Sequence, residues 1–277
     1  MSGGGPGKFY RQTPATVRNC RISRYFAPYV YFRLMSPLPR LVLLLVSGSL
    51  TGCASLYFPS PPHAPMLTHK GELYGTISTN QHTNFALQGA YAFTDKLAVA
   101  GTFSSLHRRK SNKTEDIDFG EASLGYFTRL PDQRVLEVYV GAGGGSTSRI
   151  ERNNEQLTTR TLDGTLAKYF AQVNYARKKK KTLHLFNRDF PLTYGAALRL
   201  SYMQLNNFRI NGQLAPGESN VFFEPITFTR TKVVGPVQLQ LISGQIIGFK
   251  RNDFLKAANS VFQVGLVINL WEGSEGF

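Results

Sequence analysis

The sequence predicts an all-β chain: an antiparallel, membrane-spanning up-and-down β-barrel of about ten strands, preceded by a signal segment and a linker. Three observations carry this. Apolar and polar residues alternate with period two through most of residues 70–271. The polar face of the alternating segments is nearly free of charge. Aromatic pairs bracket the apolar faces at a spacing that suits a bilayer. Composition agrees, with 42% hydrophobic, 12% aromatic and only 18% charged residues, and 26 Gly, 13 Tyr and 20 Phe against one Trp.

The segments fall near 71–79, 83–94, 96–106, 117–129, 133–148, 165–177, 191–205, 220–230, 235–245 and 259–271. An even number suits a single-chain barrel with both ends on one side. In the second, Phe85, Leu87, Gly89, Tyr91 and Phe93 oppose Asn84, Ala86 and Gln88. In the fifth, Leu136, Val138 and Val140 oppose Glu137, Tyr139 and Gly141. In the seventh, Tyr194, Ala196, Leu198, Leu200 and Tyr202 oppose Gly195, Arg199 and Ser201. In the last, Phe262, Val264, Leu266, Ile268 and Leu270 oppose Gln263, Gly265 and Asn269.

Alternation alone cannot separate a membrane barrel from a soluble one; the polar residues can. A soluble barrel carries Lys and Glu on its wet face, whereas here that face is mostly Gly, Ser, Thr, Asn and Gln. Charge collects between segments, as at Arg108, Arg109, Lys110, Lys113, Glu115 and Asp116. The charges inside segments (Glu121, Glu137, Lys168, Arg199 and Glu224) are candidate ion pairs of a narrow lumen, since Arg or Lys at a bilayer midplane costs about 2–4 kcal/mol. Tyr194 and Tyr202 bracket one apolar face at ~26 Å along the strand, and Phe85 and Phe93 repeat the spacing, as candidate aromatic girdles. Thr94-Asp95-Lys96, Leu130-Pro131-Asp132-Gln133 and Thr231-Lys232 read as tight turns on one side; 107–116, 149–164, 206–219 and 246–258 read as long loops on the other. A short turn near Asn80 to His82 and a long connection at 178–190 depart from that rule.

Upstream, Arg40 precedes the apolar run Leu41 to Val46 and the sequence Leu50-Thr51-Gly52-Cys53. A run of about 10 apolar residues is too short to cross ~30 Å of hydrocarbon and fits a signal segment. Leu50, Thr51, Gly52 and Cys53 resemble the lipobox of bacterial lipoproteins. The resemblance implies a diacylglycerol on the Cys53 thiol, cleavage before Cys53 and an N-acyl chain on the new amine, with no other cofactor. Residues 35–52 are then the signal peptide starting at Met35, and 1–34 an over-annotated or disordered extension. Residues 53–69, with Pro59, Pro61, Pro62 and Pro65, read as a stiff Pro-rich linker, 70–271 as the barrel and 272–277 as a tail. No acid follows Cys53 directly, so the anchor is expected in the periplasm-facing leaflet. The body resembles small Gram-negative outer-membrane barrels of the OmpA/OmpX/OmpW type, and lipoprotein-headed barrels with a Gly-Glu start (Gly71-Glu72) and a Phe-Glu-Pro strand (Phe223-Glu224-Pro225). That implies outer-membrane lipid and the barrel-assembly and lipoprotein-sorting machinery as partners; it names no protein partner.

The net charge of +15 invites a nucleic-acid reading, which its distribution excludes. Lys8, Arg11, Arg18, Arg21, Arg24, Arg33 and Arg40 precede Cys53 with no acid among them, and much of the remainder sits at 177–189. Within that patch Lys178, Lys179, Lys180 and Lys181 are candidate contacts to phospholipid headgroups, at about 1 kcal/mol per cation. Cys20 and Cys53 have no metal or redox spacing, and the histidines form no metal set. Gly141 to Gly145 lacks the Lys and helix of a phosphate loop, and reads as close packing in a strand. His107 with Ser104 or Ser105 could be cast as a catalytic pair, but an exposed histidine is the commoner explanation, so no catalytic residue is assigned. The expectation is a non-enzymatic, lipid-anchored barrel with a structural or surface-interaction role, a narrow channel remaining open. The alternatives are a tethered soluble lipocalin-like barrel for an apolar ligand and a barrel-embedded lipid-modifying enzyme.

Overall fold

The computed structural model describes residues 55–80, 84–185, 188–256 and 261–270. The extension 1–34, the signal peptide 35–52, the lipobox Leu50 to Cys53 and the tail 272–277 lie outside the described residues. Ten long strands follow in order: β1 (Leu73–Thr79), β2 (Asn84–Ala92), β3 (Leu97–Lys110), β4 (Lys113–Leu130), β5 (Arg134–Arg152), β6 (Thr158–Leu185), β7 (Arg188–Ile210), β9 (Glu218–Val234), β10 (Val237–Gly244) and β12 (Val261–Asn269). Two-residue strands β8 (Gln213–Leu214) and β11 (Ile247–Gly248) edge the β7 and β9 ladders. Each long strand pairs antiparallel with its neighbours in sequence. The ring closes where β1 meets β12, with Ile77 opposite Leu266. This is the expected ten-stranded up-and-down barrel, without an open edge.

The connections differ from expectation. β6 has 28 residues and β7 has 23, so the supposed long connection at 178–190 is a continuation of both strands, and Lys178 to Lys181 lie on a strand. Most of 107–116, 149–164 and 206–219 likewise belongs to ladders, in which Arg108 faces Glu115 and Arg149 faces Leu162. Among the described residues, 245–256 remains a long loop, interrupted by the two-residue β11. The tight turn after β9 falls at Gly235-Pro236 rather than Thr231-Lys232. The reason is common to all of these. The outer face of these extensions carries exposed polar and charged residues such as Arg109 and Arg209, while Glu115, Arg149, Leu162 and Phe208 stay buried inside, so backbone pairing continues where apolar alternation has stopped.

The two faces of the wall sort as expected. Ile77, Leu87, Val140 and Leu266 are exposed outward, and Thr76, Gln88, Gln172, Arg199 and Gln263 are buried inward. Phe85, Phe93 and Tyr202 are exposed on the outer face and Tyr194 is half-buried there. Tyr91, Tyr126 and Tyr175 share the tight-turn end of the outer face; Phe103, Tyr169 and Phe262 lie nearer the other end. In β5 the inward glycines make room for neighbouring rings: a Cβ on Gly141 would stand 2.6 Å from the Phe170 ring, and one on Gly143 2.6 Å from the Gly120 carbonyl.

The segment read as a spacer ahead of the barrel is instead inside it. Every residue from Ser55 to Thr68 is buried, without regular secondary structure. The sequence reading took proline as a mark of an exposed linker. Proline equally suits a chain with no ladder to join, because it brings no N–H that needs a partner.

Candidate functional site: an occupied lumen

At the long-hairpin end the lumen is apolar. Leu56, Tyr57 and Phe58 pack among Phe119, Leu166, Met203 and Phe222, with the Tyr57 ring 5.3 Å from that of Phe222. The loop 245–256 folds over this end and buries Leu255 completely. Its backbone is held by the Glu218 carboxylate, which accepts the N–H groups of Asp253 (3.0 Å), Phe254 (2.9 Å) and Leu255 (2.7 Å). Ser55 sits under this loop: the Leu56 N–H donates to the Phe254 carbonyl at 2.9 Å, and the Lys256 N–H to Ser55 Oγ at 3.2 Å. The Arg149 guanidinium donates to the Ser55 carbonyl and pairs with Glu115 at 2.7 Å.

Midway lies a charged belt. Lys168 Nζ is 2.9 Å from Glu121, 3.3 Å from Glu224 and 2.9 Å from the Tyr57 hydroxyl. Arg199 meets Glu121 at 3.0 Å, donates to Gln172 Oε1 at 2.7 Å, and lies 4.4 Å from the centre of the Phe170 ring. Four of the five predicted lumen charges thus form one network of two cations and two anions. Glu137, the fifth, is also buried, but it accepts from the Leu67 N–H at 2.8 Å and the Asn174 amide at 2.8 Å. Its hydrogen bonds hold the threaded chain, and it stands outside the belt.

Toward the tight turns the wall supplies donors to the segment's carbonyls. Gln88 donates to Pro61 O at 2.8 Å, Asn174 to His63 O at 2.9 Å, with Gln172 on the same oxygen, and Arg230 to Ala64 O and to Pro65 O, the latter at 3.3 Å. Arg129 donates to Thr68 O, and Glu72 accepts the Thr68 N–H at 2.6 Å. Met66, at φ 61°, turns the chain toward β1. That left-handed conformation is unfavourable for a side chain, and it is fixed between the bonds at Pro65 O and the Leu67 N–H. An extended chain makes no internal hydrogen bonds, so in a water-poor lumen its polar groups need partners on the wall. Four prolines reduce the number of donors, and seven backbone carbonyls from Ser55 to Thr68 receive wall donors. The His63 ring stands 5.3 Å from Tyr74, beside a cavity of about 10 Å³, room for about one water.

Sequence reasoning missed Arg230, Gln172, Asn174, Tyr57 and His63. Strand parity could have found the wall residues, since Arg230 shares the face of Glu224, and Gln172 and Asn174 that of Lys168. An exposed spacer would also have little use for Leu56-Tyr57-Phe58.

Two other predicted sites lie outside the lumen. Lys178 donates its backbone N–H to Gln133 O at 3.0 Å; the side chains of Lys179, Lys180 and Lys181 are outside the described residues. On the outer face of β3 and β4, Ser105 Oγ is 3.0 Å from His107 Nε2, His107 Nδ1 is 2.9 Å from Asp116 Oδ1, and Ser105 Oγ is also 2.6 Å from Asp118 Oδ1. Ser104 points inward, 2.9 Å from Ser60 Oγ.

No family model and no curated protein sequence matches the chain. Among solved structures it is similar to the translocator domain of the autotransporter NalP from Neisseria meningitidis, with 10% identity and a TM-score of 0.38, over 72% of this chain and 85% of that one. The architecture is that of a closed ten-stranded antiparallel β-barrel with an apolar outer face and its lumen occupied by its own chain.

Proposed function

We propose that the protein is a lipid-anchored integral outer-membrane barrel with a structural or surface-interaction role, and not a solute channel. The observation that carries this is the burial of Ser55 to Thr68 along the whole lumen. Thirteen residue steps at ~3.1 Å reach about 40 Å, beyond the ~25 Å apolar band of such a barrel, so the segment bridges the membrane from side to side. The same observation disfavours a narrow channel, and it disfavours a lipocalin-like ligand site, whose cavity would be empty and apolar. The lipobox at Cys53 supports the anchor, with outer-membrane lipid, the barrel-assembly machinery and the lipoprotein-sorting machinery as partners. Lys178 to Lys181, on β6 toward the tight turns, are the proposed headgroup contacts. The test joins two measurements. Cys53→Ala protein should remain in carbonate-washed membranes, and the native chain should show no steady conductance in planar bilayers. Extraction of the variant by carbonate, or a stable open level from the native chain, refutes the reading.

A second reading, a barrel-embedded lipid esterase, is favoured by the Ser105–His107–Asp116 geometry. In it Ser105 Oγ attacks an acyl ester carbonyl and passes its proton to His107 Nε2. The imidazolium, held by Asp116, protonates the departing alcohol, and water then releases the acyl group from serine. Exposed Phe103, two residues away on the same outer side, supports a site next to an apolar surface. Asp118 competes for the same hydroxyl proton, which favours a plain polar ladder. Fatty-acid release from phospholipid micelles decides: loss with Ser105→Ala and gain with Asp118→Asn support the enzyme, and no release from the native chain removes it.

A further inference from the structure

We infer that the chain upstream of Ser55 leaves the barrel on the face of the long hairpins, so that an acylated Cys53 is anchored in the leaflet on that face. With tight turns toward the periplasm, as in bacterial barrels, this is the outward leaflet, opposite to the one expected from the sequence. The lipid rests on the lipoprotein reading above; the direction of exit rests on the lumen alone.

The two ends of the threaded segment are fixed by different ends of the wall. Thr68 is bonded to Glu72 and Arg129, and the chain continues through Lys70, whose N–H donates to Asp95 at 3.2 Å, and Gly71, whose N–H donates to Ala92 O at 2.7 Å. Asp95 lies in the β2–β3 turn and Arg129 one residue short of the end of β4, so this end belongs with the tight turns and with the start of β1. Ser55 is bonded to Phe254 and Lys256 of the 245–256 loop and to Arg149 near the far end of β5, and Leu56 O accepts from Thr147 at 2.9 Å. Those groups belong to the opposite end.

Length then decides the leaflet. Cys53 is two residues from Ser55, a reach of at most ~7 Å even fully extended. Return to the other leaflet across an apolar band of ~25 Å would take roughly eight residues. It would also expose unpaired backbone to lipid on the outside of the wall. Topology adds a consequence for assembly. A segment joined to β1 below and to an acyl anchor above cannot be drawn through a closed ring, so the β1–β12 seam closes around it.

The test uses the full chain. A short epitope inserted between Ala54 and Ser55 should be stained by antibody on intact cells. Ser60→Cys with Ser104→Cys, at positions whose hydroxyl oxygens are 2.9 Å apart, should form a disulfide in the folded barrel, read as a gel-mobility change reversed by reductant. An epitope reached only after the outer membrane is permeabilised, or a pair that stays reduced in oxidant, overturns the inference. Incorporation of a labelled fatty acid, lost on Cys53→Ala, reports the lipid separately. A stained epitope on an unlabelled chain keeps the direction of exit and removes the anchor; a labelled chain with a hidden epitope does the reverse.

Discussion

Around Leu56, Tyr57 and Phe58 the threaded segment is gripped mainly by apolar side chains; from Pro61 to Thr68, although Ala64, Met66 and Leu67 also pack, its backbone is gripped by hydrogen bonds, from Gln88, Asn174, Gln172, Arg230 and Arg129 to its carbonyls and from its N–H groups to Glu137 and Glu72. The first kind of grip reads side-chain shape, and its strength falls gradually as volume is removed. The second reads backbone position, and it fails abruptly, since deleting one partner strands a buried polar group. Between them the Lys168–Glu121–Arg199–Glu224 belt binds both. Its Lys168 touches the Tyr57 hydroxyl, and its Arg199 touches the Gln172 that holds His63 O. One end therefore seals and the other sets register.

The largest effect that would break this comparison lies in the belt. Lys168→Met leaves Glu224 without its cation in a site with no exposure, at a cost of about 3–5 kcal/mol. The expected readout is a lowered urea midpoint for the gel-mobility change of the folded barrel in micelles, partly restored by adding Glu224→Gln. A change below about 1 kcal/mol, as for solvated pairs, would show that water reaches the belt and that it does not unite the two ends.

At the sealing end, Leu56→Ala should cost about 2–5 kcal/mol by leaving a cavity among Phe119, Met203 and Phe222. Leu56→Met should cost under about 1.5 kcal/mol, because volume is kept. That graded pair sharpens the distinction, for no equivalent conservative swap exists at Arg230. The same unfolding assay reads it, and equal losses for Ala and Met would contradict an apolar seal.

How much of this was legible follows from where the information is stored. The wall was readable because a lipid-facing strand alternates strictly. Once Leu198 and Leu200 face out, Arg199 has to face in, and parity turns all five candidate lumen charges inward, where they are buried; which of them pair is set by the closed barrel, not by the pattern. Strand ends at Lys110, Arg152 and Ile210 were not readable, because there the outer face turns polar and the alternation is lost while the inner face stays buried. The threaded segment was not readable by periodicity at all: an extended chain without a ladder has no repeat. Its partners are scattered, Ser55 bonding residues as far away as Lys256 and Ala64 bonding Arg230. The Ser105–His107–Asp116 contact needed the β3–β4 register, in which His107 faces Asp116, before its members could be recognised as neighbours.

Proline at the register-setting end provides a third test. Pro61→Ala introduces an N–H into the buried lumen, which costs about 1–3 kcal/mol if no acceptor pairs with it. In an exposed spacer the same change would cost only a few tenths to about 1 kcal/mol through chain entropy. An unfolding midpoint indistinguishable from that of the native chain would place the segment outside the barrel.

The smallest expected effect is at Gln88, where two contributions oppose. Its amide donates to Pro61 O at 2.8 Å, while its own Oε1 is buried without a hydrogen-bond partner among the described residues. Gln88→Ala removes a donor worth about 1 kcal/mol and also removes an acceptor whose burial costs a comparable amount. The net change should be within about 1 kcal/mol, whereas Asn174→Ala, which leaves the Glu137 Oε2 without its donor while His63 O keeps that of Gln172, should exceed it by about 1–3 kcal/mol. Comparing the two midpoints asks whether the register-setting end depends on the number of hydrogen bonds or on leaving none of them half-made. The size of the Gln88 change separates them: a count of bonds makes the loss of its one donor bond cost about 1 kcal/mol, whereas removing the unmet Oε1 with it brings the change toward zero.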